Sequence, residues 1–197
     1  MTLRSECYTS PKFRGFVHVN WAQAAANSLL PRSLISSRGN PVTPAQQELL
    51  QELRSFAATA TTSQLLMERS CKLLHEKMTR YNWVGFYLVD PADPNYLIVG
   101  PFAGSFTPNT RFAINIGLCG AAATSGKVVV VQDVSKDPRY LAGSSMVKSE
   151  IVVPIHVDKK LAAELDIESY FADTFTQSEQ DFIEACANVV AASLARI

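Results

Sequence analysis

A change of hydrophobic period at Trp83 constrains the fold of this chain more than any other feature. Upstream of it, apolar side chains recur at helical spacing, whereas over 84–88 they occupy every second position. A period of two is typical of a β-strand with one buried face. A turn rich in Asp and Pro follows at 90–95, and 96–102 returns as a second strand. The pattern therefore predicts a β-hairpin.

The rest of the chain predicts further strands. They are expected at 111–114, 128–132, 150–156 and 161–167, with a short helix after Gly117 and a long polar loop over 133–149. Because the connections have hairpin length, the sheet they form is expected to be largely antiparallel. With helices before and after the strands, the sequence predicts an α+β fold.

Helix starts are marked by Thr followed three residues later by Gln or Glu, the pattern of a capping box. Such pairs occur at Thr43–Gln46, Thr61–Gln64 and Thr176–Glu179. They predict helices that begin near 44, 64 and 177. We therefore expect one folded domain over residues 43–197.

The segment 1–42 differs in composition from the rest of the chain. Residues 1–40 carry five basic residues and one acidic residue, are rich in Ser and are interrupted by Pro11 and Pro31. A presequence or an extended translation start would have this composition, but so would a plain disordered tail. We expect a basic, disordered leader.

Composition excludes several classes of function. The whole chain has 18 basic and 18 acidic residues, so an overall electrostatic affinity for nucleic acid or acidic membranes is not expected. The aliphatic run 128–131 is far shorter than the roughly 20 residues of a membrane-spanning helix. The four cysteines include no C-x-x-C pair, which argues against a zinc site and a disulfide framework. Such cysteine usage favours a reducing compartment, and we expect the cytoplasm.

Three carboxylates share one face of the last expected strand, because side chains two residues apart point the same way. They are Glu164, Asp166 and Glu168. A solvent-facing strand would account for them without any function. The alternative is that the three acids face a cationic ligand.

Two aromatic residues favour the ligand interpretation. Trp83 and Tyr87 share one face of the first strand and are poor choices for a bare surface. Glu150 opens the strand that forms a hairpin with the acidic one and adds a further carboxylate. Because aromatic faces and carboxylates both attract an ammonium group, the sequence predicts a pocket for a small amine-bearing ligand.

Cys119 is the cysteine best placed for chemistry. It stands where a glycine-bounded turn begins a short helix, so free backbone N–H groups and the helix dipole would favour its thiolate. A small buried hydrophobe is an equally good interpretation. Cys71 and Cys186 lie on apolar helical stripes and are expected in the core, and Cys7 lies in the leader.

The remaining chemistry-bearing residues form no recognisable motif. The three histidines, His18, His75 and His156, are far apart and suit neither a triad nor a metal site. Glycine-rich phosphate-binding motifs are also absent from the sequence. No metal is therefore expected.

Five ordered blocks of sequence carry a resemblance to a known family. They are Asn82–Leu88, Gly100–Phe102, Gly117–Gly120, Ser149–Pro154 and Leu165–Ser169. Together they resemble the GAF-domain family of free methionine-R-sulfoxide reductases over roughly residues 43–197. The resemblance implies a GAF fold, in which a central antiparallel sheet of about six strands has the terminal helices on one face and a ligand pocket on the other.

The resemblance also implies that the pocket holds free methionine sulfoxide. The positions that match the family's ligand-binding residues are Trp83, Tyr87, Glu150, Asp166 and Glu168. Glu168 stands where the family more often has Asp, a change that keeps the charge. Glu164 has no counterpart in this comparison, and we expect it to be a solvated or edge residue.

In the family, a cysteine attacks the sulfoxide sulfur, and a second cysteine closes the resulting sulfenic acid to a disulfide that thioredoxin reduces. Three pocket cysteines serve this chemistry. Of the matching positions, only Cys119 is a cysteine here. The position of the attacking cysteine reads Gly143, and the remaining one reads Asn109.

Two function hypotheses follow from this departure. As a binding or sensor module in signalling, the protein keeps the ligand site and lacks the redox relay, and the missing thiols favour this hypothesis. As a reductase, it would use Cys119 as nucleophile and thioredoxin or another external thiol as reductant. A relic that binds nothing is a third alternative, and none of the three requires a bound cofactor.

The helical stripes over 44–78 and 177–195 leave the oligomeric state open. They are compatible with a homodimer, and packing against the sheet explains them equally well.

Overall fold

A computed structural model describes residues 42–196. The helices are α1 (Pro44–Thr59), α2 (Ser63–Lys77), α3 (Gly117–Ser125) and α4 (Gln177–Leu194). The strands are β1 (Trp83–Val89), β2 (Tyr96–Gly104), β3 (Arg111–Ala113), β4 (Val129–Val131), β5 (Ser149–Val157) and β6 (Lys160–Ser169). A single turn of 3-10 helix covers Val134–Lys136.

The six strands form one sheet in the order β3-β2-β1-β6-β5-β4, and every neighbouring pair is antiparallel. The hairpins β1–β2 and β5–β6 lie side by side, so β1 and β6 are the central strands. Since β6 is paired along both edges, its side chains can point only to the two faces of the sheet. The architecture confirms the α+β fold and the antiparallel GAF-type sheet expected from the sequence.

The alternation that begins at Trp83 separates two apolar cores, one on each face of the sheet. On the first face Val84, Phe86, Leu165 and Ile167 pack against α1, α2 and α4, and we call this the helix-side core. On the second face residues of β1, β2 and β5 pack against α3 and the segments around it, and we call this the pocket-side core. The placement of the terminal helices on one face is as expected.

The capping patterns are confirmed at two helices and wrong in register at the third. At α1, the Thr43 side chain accepts a hydrogen bond from Gln46 N while the Gln46 side chain accepts one from Thr43 N. At α4, Thr176 accepts from Glu179 N. At α2 the cap is Thr62, whose hydroxyl accepts from Leu65 N at 3.2 Å, and not Thr61. The two adjacent threonines explain the one-residue error, because only the geometry of the turn decides between them.

Some of the sequence predictions stay untested. Residues 1–41 lie outside the described residues, so the disordered leader and the boundary at 43 stay predictions. Within residues 42–196, no helix is long and apolar enough to cross a membrane. The apolar stripes of α1, α2 and α4 are buried in the helix-side core, so packing accounts for them and the homodimer stays a prediction.

A leucine pair tests how far the helix-side core stabilises the domain. Leu165 in β6 is fully buried, whereas Leu65 in α2 is 44% exposed. We expect Leu165→Ala to lower the free energy of unfolding by about 2–5 kcal/mol, because it leaves a cavity in a packed core. Leu65→Ala should change it by less than about 0.5 kcal/mol. Urea denaturation followed by circular dichroism measures the free energy of unfolding of both variants. Equal losses in the two variants would contradict the assignment of Leu165 to a stabilising helix-side core.

Candidate ligand and redox site

The acidic side chains of β6 all point to the face opposite the helix-side core. Their intervening neighbours Leu165 and Ile167 belong to that core, so strand alternation directs Glu164, Asp166 and Glu168 to the other side. In the pairing of β5 with β6, Glu150 lies directly opposite Glu168. We call these residues the acidic cluster: Glu150, Glu164, Asp166 and Glu168.

Most of the acidic cluster is buried. Glu164 has no exposed surface, Asp166 is 4% exposed and Glu150 is 5% exposed. The solvent-facing alternative is therefore wrong, and so is the expectation that Glu164 is a solvated or edge residue. The physical reason is that β6 is an inner strand and that α3 packs across its pocket face.

Burial raises the pKa of every carboxyl in the cluster, since it penalises the charged form. The pKa of Glu164 rises to about 8 and that of Glu168 to about 7. The pKa values of Glu150 and Asp166 are also raised well above the usual range, first by burial and then by the other acids of the cluster. Among the described residues, every charged group that raises these values is itself acidic. The cluster is therefore stable only with its carboxyls protonated or with a cation between them.

Several polar atoms of this site have no partner among the described residues. Both carboxyl oxygens of Glu164 and Oδ1 of Asp166 accept no hydrogen bond, and Nε1 of Trp83 donates none. Buried polar groups are nearly always hydrogen-bonded in folded proteins. These open acceptors and the open donor lie on one face of the sheet, where they can form hydrogen bonds with a group that both donates and accepts.

Aromatic rings line the same face beside the acids. Trp83 stacks on Tyr87 at 6.0 Å and on Phe102 at 5.7 Å between ring centroids. Gly85 makes room for the indole, because a Cβ at this position would lie 2.2 Å from the ring of Trp83. In the β1–β6 register Gly85 lies opposite Asp166. The wall expected from Trp83 and Tyr87 is therefore present and adjoins the acidic cluster.

Cys119 lies at the third residue of α3 and is 5% exposed. Its thiol points at Asp166, with 3.8 Å between Sγ and Oδ2. The pKa of this thiol is raised well above its usual value, first by burial and then by Asp166, Glu164 and Glu150. Of the two alternatives left open by the sequence, the structure favours a buried thiol over a thiolate stabilised by the helix start, because desolvation and three neighbouring acids raise its pKa. Cys71 and Cys186 are buried in the helix-side core, as expected.

Ligand-type atoms from three distant segments meet here. Cys119, Glu150 and Asp166 each place one donor atom within 4.8 Å of the other two. The spacing of these residues along the chain gave no sign of this arrangement, since it arises only when α3 folds over β5 and β6.

Residues 137–148, which we call the covering loop, close the site from outside. Val147 is buried in the pocket-side core, and the acids Glu168, Glu150 and Asp166 raise the pKa of Tyr140 after burial does. A Cβ added at Gly143 would lie 3.3 Å from Oε1 of Glu168 and 3.7 Å from Nδ2 of Asn109. The structure therefore brings together the two positions at which the family resemblance implies cysteines.

Two surface clefts, of about 300 and 240 Å³, lie elsewhere and are lined neither by Cys119 nor by any acid of the cluster. Within the cluster, Glu168 is half-buried, whereas the other three acids are buried.

Comparison with known proteins gives a family match and several relatives. The family model described as GAF domain matches residues 63–194. Protein YtsP of Bacillus subtilis is 31% identical over 150 residues, which is 76% of this chain and 91% of that protein. The free methionine-R-sulfoxide reductase of Saccharomyces cerevisiae is 36% identical over 110 residues, 55% of this chain and 61% of the yeast protein.

A solved structure is similar over most of the described chain. It is the free methionine-R-sulfoxide reductase of Neisseria meningitidis, determined in complex with its substrate. The two folds superpose with a TM-score of 0.73 at 30% sequence identity. The match covers 81% of this chain and 96% of the Neisseria protein.

The raised pKa of Glu164 predicts a pH-dependent stability. Between its ordinary pKa of 4.5 and its folded value of about 8, the folded state holds a proton that the unfolded state has released. Stability therefore falls as pH rises through this window. We expect Glu164→Gln, which cannot ionise, to be more stable than the natural protein at pH 8, by an amount on the order of a few kcal/mol.

Thermal unfolding measured at intervals between about pH 5 and pH 8 tests this expectation, and the difference should shrink toward the acidic end. Glu48→Gln is the matched control, because Glu48 is exposed on α1 and should follow the natural protein at every pH. Parallel curves for Glu164→Gln and the natural protein would contradict the buried, proton-binding role of Glu164.

Proposed function

Because this chain belongs to the GAF domain family, we propose that its acidic cluster binds free methionine sulfoxide and that the protein reduces the R-sulfoxide to methionine. The relatives named as free methionine-R-sulfoxide reductases support this function. They favour the reductase hypothesis over the sensor interpretation that the missing cysteines suggested. The observation that carries the proposal is that three buried carboxyls and the half-buried Glu168 lie beside an aromatic wall, and that no salt bridge within residues 42–196 involves any of them.

An amino-acid ammonium group fits that arrangement. It donates three hydrogen bonds and carries one positive charge, so it would serve the unpartnered oxygens of Asp166 and Glu164 and offset the repulsion among the acids. The face of Trp83 adds a favourable cation–π contribution. The unpartnered Nε1 of Trp83 is a donor for an oxygen of the same ligand, either a carboxylate or the sulfoxide.

Cys119 is the nucleophile of the proposed reaction. Its sulfur attacks the sulfoxide sulfur. The protonated oxygen then passes to the cysteine sulfur as its bond to the substrate sulfur breaks, which leaves a sulfenic acid on Cys119 and releases methionine. One external thiol then condenses with the sulfenic acid and releases water, and a second thiol cleaves the mixed disulfide. Two thiols are oxidised to a disulfide for each sulfoxide reduced.

The ligand itself would prepare the nucleophile. Burial and then the neighbouring acids raise the pKa of the Cys119 thiol and keep it protonated. An ammonium group bound between those acids would offset their charge and thereby favour the thiolate. Asp166, 3.8 Å from the sulfur, is placed to accept the thiol proton. Protonated carboxyls of the cluster would supply a proton to the sulfoxide oxygen.

The reaction also requires a reductant and a compartment that contains it. Thioredoxin or another small thiol would serve as the external reductant, and a cytoplasmic setting would supply it. No metal or bound cofactor is needed for this chemistry.

A second candidate is a binding module that holds the amino acid without reducing it. The observation that favours it is that Gly143 and Asn109, at the two positions where the family resemblance implies cysteines, lie close together and carry no thiol. In this candidate the protein would report methionine sulfoxide to a partner. Binding without turnover separates it from the reductase.

Binding is tested by calorimetry with free methionine sulfoxide. We expect Asp166→Asn to weaken binding by about 2–5 kcal/mol, because it removes a buried charge from the ammonium group. Asp158→Asn is the matched control, since Asp158 lies exposed in the turn of the same hairpin and should leave the affinity unchanged. N-acetylmethionine sulfoxide, which lacks the ammonium group, should not bind. Equal affinity for the acetylated and free compounds would refute the ammonium site.

Turnover is tested by measuring methionine formed from the free R-sulfoxide with thioredoxin or dithiothreitol. We expect activity in the natural protein, background activity in Cys119→Ser, and retained binding in that variant. Gly143→Cys should raise turnover, because a side chain at this position points at Glu168 within the site. If the natural protein binds the sulfoxide without turnover, the binding module is the correct function. If it does neither, both candidates fail.

A further inference from the structure

The proposed reaction leaves a sulfenic acid on Cys119, and the pocket face holds no second thiol to resolve it. Within residues 42–196 the other cysteines, Cys71 and Cys186, are buried in the helix-side core on the opposite face of the sheet. The positions at which the family resemblance implies further cysteines carry no thiol. Of the four cysteines of the chain, Cys7 is therefore the one that the sheet does not hold away from the site.

Large apolar side chains are exposed around the covering loop. Four of the six that are exposed within residues 42–196 lie there, and we call them the apolar rim: Phe106, Ile116, Leu141 and Met146. A Cβ at Gly117 would lie 3.2 Å from Cβ of Leu141, which places Ile116 beside the loop. A Cβ at Gly143 would lie 3.7 Å from Oγ1 of Thr107, which places Phe106 beside the loop as well. Exposed apolar patches of this kind mark interaction surfaces.

The leader complements this surface in charge and in apolar content. Residues 1–40 carry five basic residues and one acidic residue, a net charge of +4, whereas the rest of the chain has 13 basic and 17 acidic residues, a net charge of −4. The aromatic residues of the leader include Phe13, Phe16 and Trp21. Opposite charge attracts such a segment to the acidic domain, and its aromatic side chains suit an apolar surface.

The length of the leader allows Cys7 to reach the site. Cys7 lies 35 positions before Val42, at which the described chain begins and which packs against the helix-side core. A chain of this length spans at most about 115–125 Å, and a domain of this size has a radius of gyration of about 15 Å. The leader is therefore long enough to pass around an edge of the sheet. The site borders solvent beside the apolar rim, where Gly143 and Glu168 are half-buried.

We propose that the leader docks on the apolar rim and that Cys7 resolves the sulfenic acid of Cys119, an inference that rests on the proposed reductase function. The Cys7 sulfur attacks the Cys119 sulfur, a sulfur–sulfur bond forms, and the sulfenic oxygen leaves as water with the thiol proton. The Cys7 sulfur is thereby oxidised and the Cys119 sulfur reduced. An external dithiol of the thioredoxin class then reduces the disulfide to two thiols, so Cys7 takes the place of the first external thiol.

Peptide mapping by mass spectrometry tests for the disulfide. The full chain, reduced and then freed of reductant, is mixed with free methionine R-sulfoxide, and its remaining thiols are alkylated before digestion. We expect one methionine per chain and a peptide pair joined through Cys7 and Cys119. In Cys7→Ser, dimedone, which labels sulfenic acids, should instead modify Cys119. Dimedone labelling of Cys119 in the natural protein, without the joined peptides, would overturn the proposal.

Turnover separates the tethered thiol from an external one. We expect Cys7→Ser to lower thioredoxin-dependent turnover at least about tenfold, because a tethered thiol acts at an effective concentration on the order of millimolar. Dithiothreitol at tens of millimolar, roughly that concentration or above, should restore it. Cys186→Ser is the control, because Cys186 lies on α4 in the helix-side core, and it should match the natural protein with both reductants. Unchanged thioredoxin-dependent turnover in Cys7→Ser would contradict the role of Cys7.

A matched pair of exposed residues tests the docking surface. Phe106 is 72% exposed in the apolar rim, and Leu65 is 44% exposed on α2. In a single turnover without reductant, we expect Phe106→Ala to slow disulfide formation at least about threefold, since docking raises the effective concentration of Cys7. Leu65→Ala should leave the rate unchanged. Equal rates in the two variants would show that the leader does not dock on the rim.

Failure of this inference is distinguishable from failure of the reductase. If methionine forms with dithiothreitol but Cys7 and Cys119 are never joined, the reductase stands and the role of Cys7 falls. If no methionine forms with any reductant, the reductase and the role of Cys7 both fall.

Discussion

Repulsion among buried carboxyls is the interaction on which the pocket face of this domain depends. Glu150, Glu164, Asp166 and Glu168 lie on two adjacent inner strands, and the charges that act on them are acidic. Left ionised, such a group would oppose the packing of α3 and the covering loop above it. The domain accommodates the group by raising its pKa values, which leaves a site that gains stability from any suitable cation.

The alternation of side chains along β6 is what places its acids together on one face of the sheet. Asp166 faces the ligand side because Leu165 and Ile167 are committed to the helix-side core. A slip of one residue in β6 would exchange the two sets and expose the apolar side chains while burying the acids against the helices. The same apolar residues that stabilise the fold therefore also hold the register of the site.

The central strands and the side chains on their faces could be predicted from the sequence, because the relevant patterns are local. The period change at Trp83 placed β1 and its aromatic face correctly, and the alternation of β6 placed its acids on one face. The burial of Glu164 could not be predicted in this way, since it depends on α3, which is distant in sequence. The choice between the two interpretations of Cys119 could not be made for a similar reason: a helix start is visible in the sequence, but the three neighbouring acids that raise the pKa of its thiol come from β5 and β6.

Two contacts hold the covering loop beside the acidic cluster. Val147 anchors it in the pocket-side core, and Asn109 holds it through a hydrogen bond to the carbonyl of Leu141 at 3.4 Å. If a ligand passes beneath the loop, these contacts must break for each passage. Association and dissociation rates would then both follow the frequency of loop opening, so changes in the loop would alter residence time while leaving the equilibrium affinity to the acids and the aromatic wall.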